Sequence, residues 1–283
     1  MDFQIALLLG QDGLTNGAIY ALLALALVLV FAVTRVIFIP QGEFVAYGAL
    51  TLAMLQAGKL PATLWMIAAL GAAIVVIDGA IAIRHGAARR LPRIVLSNLG
   101  VPLALLLIVP NINAAGLPLV AQIALTLAVV VPLGPMIYRL AYQPIAEAPV
   151  LILLIVSVAV HVVLIGLGLL FFGAEGTRTP AFTDGTLDLG VTTLQYQTLW
   201  ILAISAVLIV ALYAFFGRTL YGKALRATAL NRTGARLMGI STTMAGKLSF
   251  TLAAMIGTFS GILISPITTL YYDSGFLIGL KGF

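Results

Sequence analysis

Residues 217–247 read G-R-T-L-Y-G-K-A-L-R-A-T-A-L-N-R-T-G-A-R-L-M-G-I-S-T-T-M-A-G-K. Six of the fifteen Lys and Arg of the chain fall here, and none of its nine acids. Apolar runs over 196–216 and 248–270 flank the stretch, each long enough to cross a bilayer at about 20 residues per span. A basic loop between two spans belongs on the cytoplasmic side. Ala224, Leu225, Arg226, Ala227, Ala229 and Leu230 are good helix formers, so the loop is expected to fold. Asn231 is expected to stop its first helix and Thr233 to cap a second, short one. A folded basic helix pair has two uses. It can hold anionic lipid headgroups, at about 1 kcal/mol per cation, or it can dock a soluble partner.

Composition places the rest of the chain in the membrane. Of 283 residues, 62% are hydrophobic and 8% charged, with a mean hydropathy of +1.16, which excludes a soluble domain. The expected fold is all-α, a single polytopic membrane domain over 1–283 with about eight spans of roughly 20 residues each. The net charge of +6 collects in particular loops, so nucleic acid is not an expected partner. Cysteine is absent, which rules out disulfide and thiolate chemistry. The N-terminus carries Asp2 and Asp12 where a signal peptide has a basic flank; residues 13–34 are therefore expected as a retained first span. Its Gly13, Gly17, Ala21, Ala24 and Ala26 are small enough to admit a neighbouring helix.

The second span, 36–56, is expected to be broken. Pro40 has no N–H to donate and Gly42 weakens helix continuation, and broken backbone inside a bilayer must face protein or a water-filled cavity. A half-helix starting near Gln41 would aim free N–H groups and a positive dipole end into such a cavity, as transporters do toward substrate carboxylates. Glu43 then either caps the helix or meets substrate. Further spans are expected at 62–83, 94–109, 118–137, 150–172, 196–216 and 248–270. Pro102 should kink the fourth, and Asp78 in the third should pair inside the bundle or reach toward Arg84. In the sixth span Ser157 and His161 share a helical face; His161 is either a functional midplane group or a neutral interhelical donor. No second His, Cys or acid stands at ligand spacing beside it, so neither a metal nor a cofactor is expected.

Charge gives the topology. Arg84, Arg89, Arg90 and Arg93 mark a second cytoplasmic loop, and the four crossings between it and 217–247 return the chain to the same side. The acidic loop 173–195, with Glu175, Asp184 and Asp188, then falls outside.

The stretch G-K-A-L-R-A-T-A-L-N-R-T-G-A-R-L-M-G-I (222–240) resembles the coupling loop of ATP-driven importer permeases, in the form found in the branched-chain amino acid permease family. Tyr20-Ala21-Leu22 and the run from Ser249 through Leu263 are similar to that family too. Gly42 and Glu43 fit a family motif that Phe38, Pro40 and Gln41 do not. The resemblance implies a transport subunit without enzymatic activity, moving a small-molecule substrate such as a branched-chain amino acid or small amide by alternating access. It implies that Gly222, Lys223, Ala224, Leu225, Arg226, Ala227, Asn231, Arg236, Gly239 and Ile240 engage separate ATPase subunits. A second permease subunit and a periplasmic substrate-binding protein complete the implied machine in a bacterial inner membrane. Gln41, Gly42, Glu43, Ser157 and His161 are the expected substrate path. Family members continue past G-F-L-I-G-L-K-G-F through further helices, so a truncated C-terminus is expected. An ion- or proton-coupled carrier titrating Asp78 or His161 is the alternative, and a membrane scaffold is a third.

Overall fold

The computed structural model describes residues 3–188 and 193–283. Asp2 of the acidic N-terminus and residues 189–192 of the acidic loop lie outside the described residues. The chain is an all-α polytopic bundle. Its long helices are α1 (Phe3–Thr34), α3 (Thr63–Arg84), α4 (Leu91–Ile108), α7 (Val150–Phe172), α8 (Tyr196–Arg218) and α11 (Thr242–Ile264). A seventh long segment joins α5 (Leu119–Val130) and α6 (Leu133–Ile137) to a π turn at Tyr138–Tyr142 and a short 3-10 turn ending at Ile145. Among the described residues these seven segments are long and apolar enough to cross a membrane.

The expected eighth crossing is where the structure departs from the sequence reading. Arg35 adopts a φ of 61° and ends α1, and a 3-10 turn over Ile39–Gly42 leads into α2 (Glu43–Gln56), only 14 residues long. At 1.5 Å per residue α2 reaches about 21 Å, short of the roughly 30 Å hydrocarbon core. It is surrounded by protein instead: α11, α5, α7 and the C-terminal α12 (Ser274–Gly282) pack on it.

Glycine makes those contacts close. A Cβ on Gly48 would stand 2.8 Å from the Thr258 carbonyl oxygen, and one on Gly261 would overlap the Val45 carbonyl. Backbones meet directly where side chains would otherwise separate them. Phe38, Phe44, Tyr138, Tyr142 and Phe250 fill the space beside this seam, with ring centroids 4.7–5.9 Å apart. Gly13 and Gly17 behave differently from the expectation: a Cβ on either would meet nothing within 4 Å, so they face outward from the bundle and receive no helix among the described residues.

The loop between α7 and α8 carries a short hairpin, β1 (Thr186–Asp188) against β2 (Thr193–Gln195). Its earlier half is stitched to the end of α11. Thr177 and Leu270 exchange backbone hydrogen bonds at 2.9 Å, and Arg178 Nε donates to Pro266 O at 2.6 Å. Pro266 lies just past the end of α11, as its missing N–H requires.

Candidate functional site

Two places hold the residues that the sequence singles out. The first is the break before α2. Gln41 is fully buried and its Nε2 donates to Ala253 O on α11 at 3.0 Å, which pins the 3-10 turn to that helix. Backbone N–H groups expected to be free are partly taken up: Gln41 N–H donates to Phe38 O and Glu43 N–H to Pro40 O. The tighter 3-10 turn supplies acceptors that an α-helical start would leave missing. Gly42 does not open onto a cavity, because Gly275 and Gly279 of α12 lie directly against it.

Glu43 follows in the first turn of α2, 1% exposed, and neither carboxylate oxygen accepts a hydrogen bond from the described residues. It therefore makes no side-chain cap. His161 of α7 brings Nδ1 to 3.0 Å from Oε1, near enough to pair with the carboxylate but not aligned as a conventional hydrogen bond. A buried carboxylate needs a cation or a proton, and His161 is the residue that stands there to serve it. The imidazole also lies 4.8 Å, ring to ring, from Phe276 of α12. Thus α2, α7 and α12 converge on one acidic group. Beside them an apolar cavity of about 310 Å³ is walled by Ile37, Ile39, Leu154 and Phe276, among others.

Ser157 shares the expected face of α7 with His161 but is engaged elsewhere, its Oγ 3.0 Å from Tyr142 Oη. Tyr47 Oη donates to Leu164 O at 2.8 Å and ties α2 to α7 above the pair. Sequence reasoning passed over Tyr47 and Phe276. Tyr47 lies four residues after Glu43, one helical turn along the same face, a spacing that could have drawn attention to it. Asp78 pairs with Arg139 rather than with Arg84; Arg139 Nε also lies 3.4 Å from Asp78 Oδ2. The π turn swings Arg139 back toward α3, a placement that local sequence cannot report.

The second place is the basic loop. It folds as α9 (Leu220–Leu230) and α10 (Arg232–Leu237). Thr219 Oγ1 accepts from Gly222 N–H at 3.0 Å and caps α9. Asn231 both ends α9 and caps α10, its Oδ1 accepting from Gly234 N–H at 2.9 Å; the expected cap, Thr233, lies inside α10. Gly239, with φ 81°, closes α10, and Ile240 N–H donates back to Ala235 O, a C-terminal turn that needs the left-handed conformation. Residues 242–247 belong to α11, so the loop is shorter than expected. Gly222 lies so close to the Phe215 carbonyl that a Cβ would overlap it.

Leu225 and Ala235 turn inward, while Lys223, Arg226, Arg236 and Gly239 stay exposed. Ala224, Ala227 and Ile240 are half-buried and Asn231 is exposed. Leu230, Leu237 and Met238 are 89%, 84% and 82% exposed. Three large apolar side chains this exposed on a capped loop form the kind of surface that a protein partner covers. The connector before α7 braces it from behind: Arg232 Nη1 donates to Ala146 O at 3.0 Å and Arg236 Nη1 reaches Glu147 Oε1 at 2.9 Å.

Comparison with known proteins bears on both places. The family profile described as "Branched-chain amino acid transport system / permease component" matches residues 11–283. The high-affinity branched-chain amino acid transport system permease protein LivH of Escherichia coli (strain K12) is 28% identical over 159 residues, covering 53% of this chain and 51% of LivH. LivH of Salmonella typhimurium gives the same figures. The corresponding permease protein BraD of Pseudomonas aeruginosa is 24% identical over 184 residues, 63% of this chain and 60% of BraD. The chain spans about half the length of the curated relatives it matches. No solved structure matches it.

Proposed function

We propose, because this chain belongs to the family of permease components of branched-chain amino acid transport systems, that it is the membrane-spanning subunit of an ATP-binding-cassette importer. Its cargo is a branched-chain amino acid or a similar small amino acid or amide, moved by alternating access across a bacterial inner membrane. ATP hydrolysis belongs to separate ATPase subunits; a second permease subunit and a periplasmic substrate-binding protein complete the machine.

The capped α9–α10 pair is the observation that carries this reading. Its caps fix the loop as a rigid projection, and its exposed Leu230, Leu237 and Met238 sit among Lys223, Arg226 and Arg236. An anchor to lipid headgroups needs only the cations, whereas a docking surface uses the apolar side chains as well. The substrate path runs past Glu43 and His161, while Gln41 and Gly42 form the packed turn that places Glu43. Glu43 is the counter-ion for the ammonium of the substrate, and the neighbouring apolar cavity suits an aliphatic side chain. Ser157 supports the path by holding Tyr142.

Uptake by the complete system should stop with vanadate or an inactivated ATPase and continue when a protonophore collapses the proton gradient. Arg226→Glu or Gly239→Trp should abolish uptake with membrane insertion intact; unchanged uptake in both would remove the docking assignment. The opposite energetics would favour a proton-coupled carrier, and the buried Glu43–His161 pair is the observation on that side. Asp78, the other group named for that alternative, is paired with Arg139.

A further inference from the structure

The end of the bundle that carries the basic loops, cytoplasmic by their charge, holds a cleft outside the proposed transport path. It lies between α3, α4, α6 and α11 and encloses about 440 Å³. Its walls change chemistry with depth. Arg93 on the first turn of α4, Arg139 in the π turn and Lys247 in the second turn of α11 stand at the mouth, with Asp78 among them. Further toward the bilayer centre the walls become Ile74, Val101, Pro102, Pro132 and Met136. Ser97 and Asn98 occupy the level between.

Arg139 is committed to Asp78. Arg93 and Lys247 have no acidic partner among the described residues, so the mouth carries two uncompensated cations. Prolines account for the opening. Pro102 interrupts the hydrogen-bond ladder of α4, and Pro132 and Pro135 stand at the joint of α5 and α6. Val101 lines the cleft and is 52% exposed, so the apolar wall is open to an incoming acyl chain.

We infer that this cleft binds an anionic phospholipid of the inner leaflet, its phosphate on Arg93 and Lys247 and one acyl chain along Ile74, Val101 and Pro102. The fit is to both ends of such a molecule. A phosphate diester accepts from a guanidinium and an ammonium together, and basic pockets between helices at this level suit anionic headgroups. A free phosphate shares that chemistry but leaves the apolar wall unfilled. A zwitterionic lipid brings its own ammonium to a mouth that already holds two cations.

Native mass spectrometry of the full chain, released from detergent with defined lipids, tests this. Phosphatidylglycerol should be retained over phosphatidylcholine. Arg93→Gln should weaken retention about fivefold, and Arg93→Gln with Lys247→Gln about thirtyfold. Arg84→Gln, in the same basic loop but outside the cleft, should change nothing. Val101→Trp keeps every charge and fills the cleft, and it should also lower retention, which decides the matter if the double variant does not insert. Millimolar glycerol phosphate should not displace the lipid. Equal retention of the two lipids, full retention in the double variant or in Val101→Trp, or an equal loss with Arg84→Gln overturns the inference. Displacement by glycerol phosphate assigns the cleft to a soluble phosphate and overturns it too.

Discussion

The half-helix α2 and the loop helices α9 and α10 are both short, and they are held in place by opposite means. Eleven of the 14 residues of α2 are buried, and no side chain caps its start. It is fixed by backbone approaching backbone, at Gly48 against Thr258 and at Gly261 against Val45. The loop helices bury only Gly222, Leu225, Thr228 and Ala235. They are fixed by Thr219 and Asn231, each accepting a backbone N–H from the first turn it precedes. Tertiary contact positions the buried acid; local hydrogen bonds position the exposed surface. The two regions should therefore fail in different ways when they are disturbed.

The largest effect belongs to the seam. Gly261→Leu forces a side chain into the Val45 carbonyl, and overpacking of this kind costs about 3 kcal/mol or more. Denaturant titration in detergent should show that loss, and near-wild-type stability would mean that the seam is loose. Next comes Glu43→Gln, which keeps the shape and removes the charge. Loss of a charged contact to the substrate ammonium should raise the apparent KM about tenfold or more and shift selectivity toward N-acetyl analogues. An unchanged ratio of amino acid to N-acetyl uptake would leave Glu43 with a structural role alone. Asn231→Ala removes one cap and should cost α10 about 1 kcal/mol, read as faster amide exchange confined to residues 232–237. Exchange that quickens equally in α2 would erase the distinction between the two regions. Smallest is Arg236→Ala. Its pair with Glu147 is exposed on both sides, so stability should change by less than about 0.5 kcal/mol, measured by the same titration.

That division also explains what could be read from the sequence. The caps, the C-terminal turn at Gly239 and the two-helix form of the loop follow from residues within four positions of one another. Even the error there is local: Asn231 and Thr233 are both good caps, and Asn231 is the one whose side chain reaches a free N–H. Span positions were legible because apolar length is a property of continuous sequence. The depth of α2 was not, since an apolar run looks the same whether lipid or protein surrounds it. Glu43 and His161 each stood out as ionisable groups inside a span, yet 118 positions separate them, and no local pattern joins them. Asp78 was expected to pair inside the bundle or to reach toward Arg84; the pairing holds, but its partner, Arg139, comes from another helix and could not be named for the same reason. The outward-facing Gly13 and Gly17 show the limit from the other side: small residues permit close packing and do not say with what.

The bond from Arg232 to the Ala146 carbonyl has a mechanical meaning. Ala146 precedes α7 by four residues, and His161 lies eleven residues above the first residue of that helix, about 16 Å along its axis. A helix is stiff over that distance, so α7 is one continuous rod with the basic loop hydrogen-bonded near its foot and the buried acid beside its middle. The two places that the sequence singles out are therefore joined through a single element of the fold.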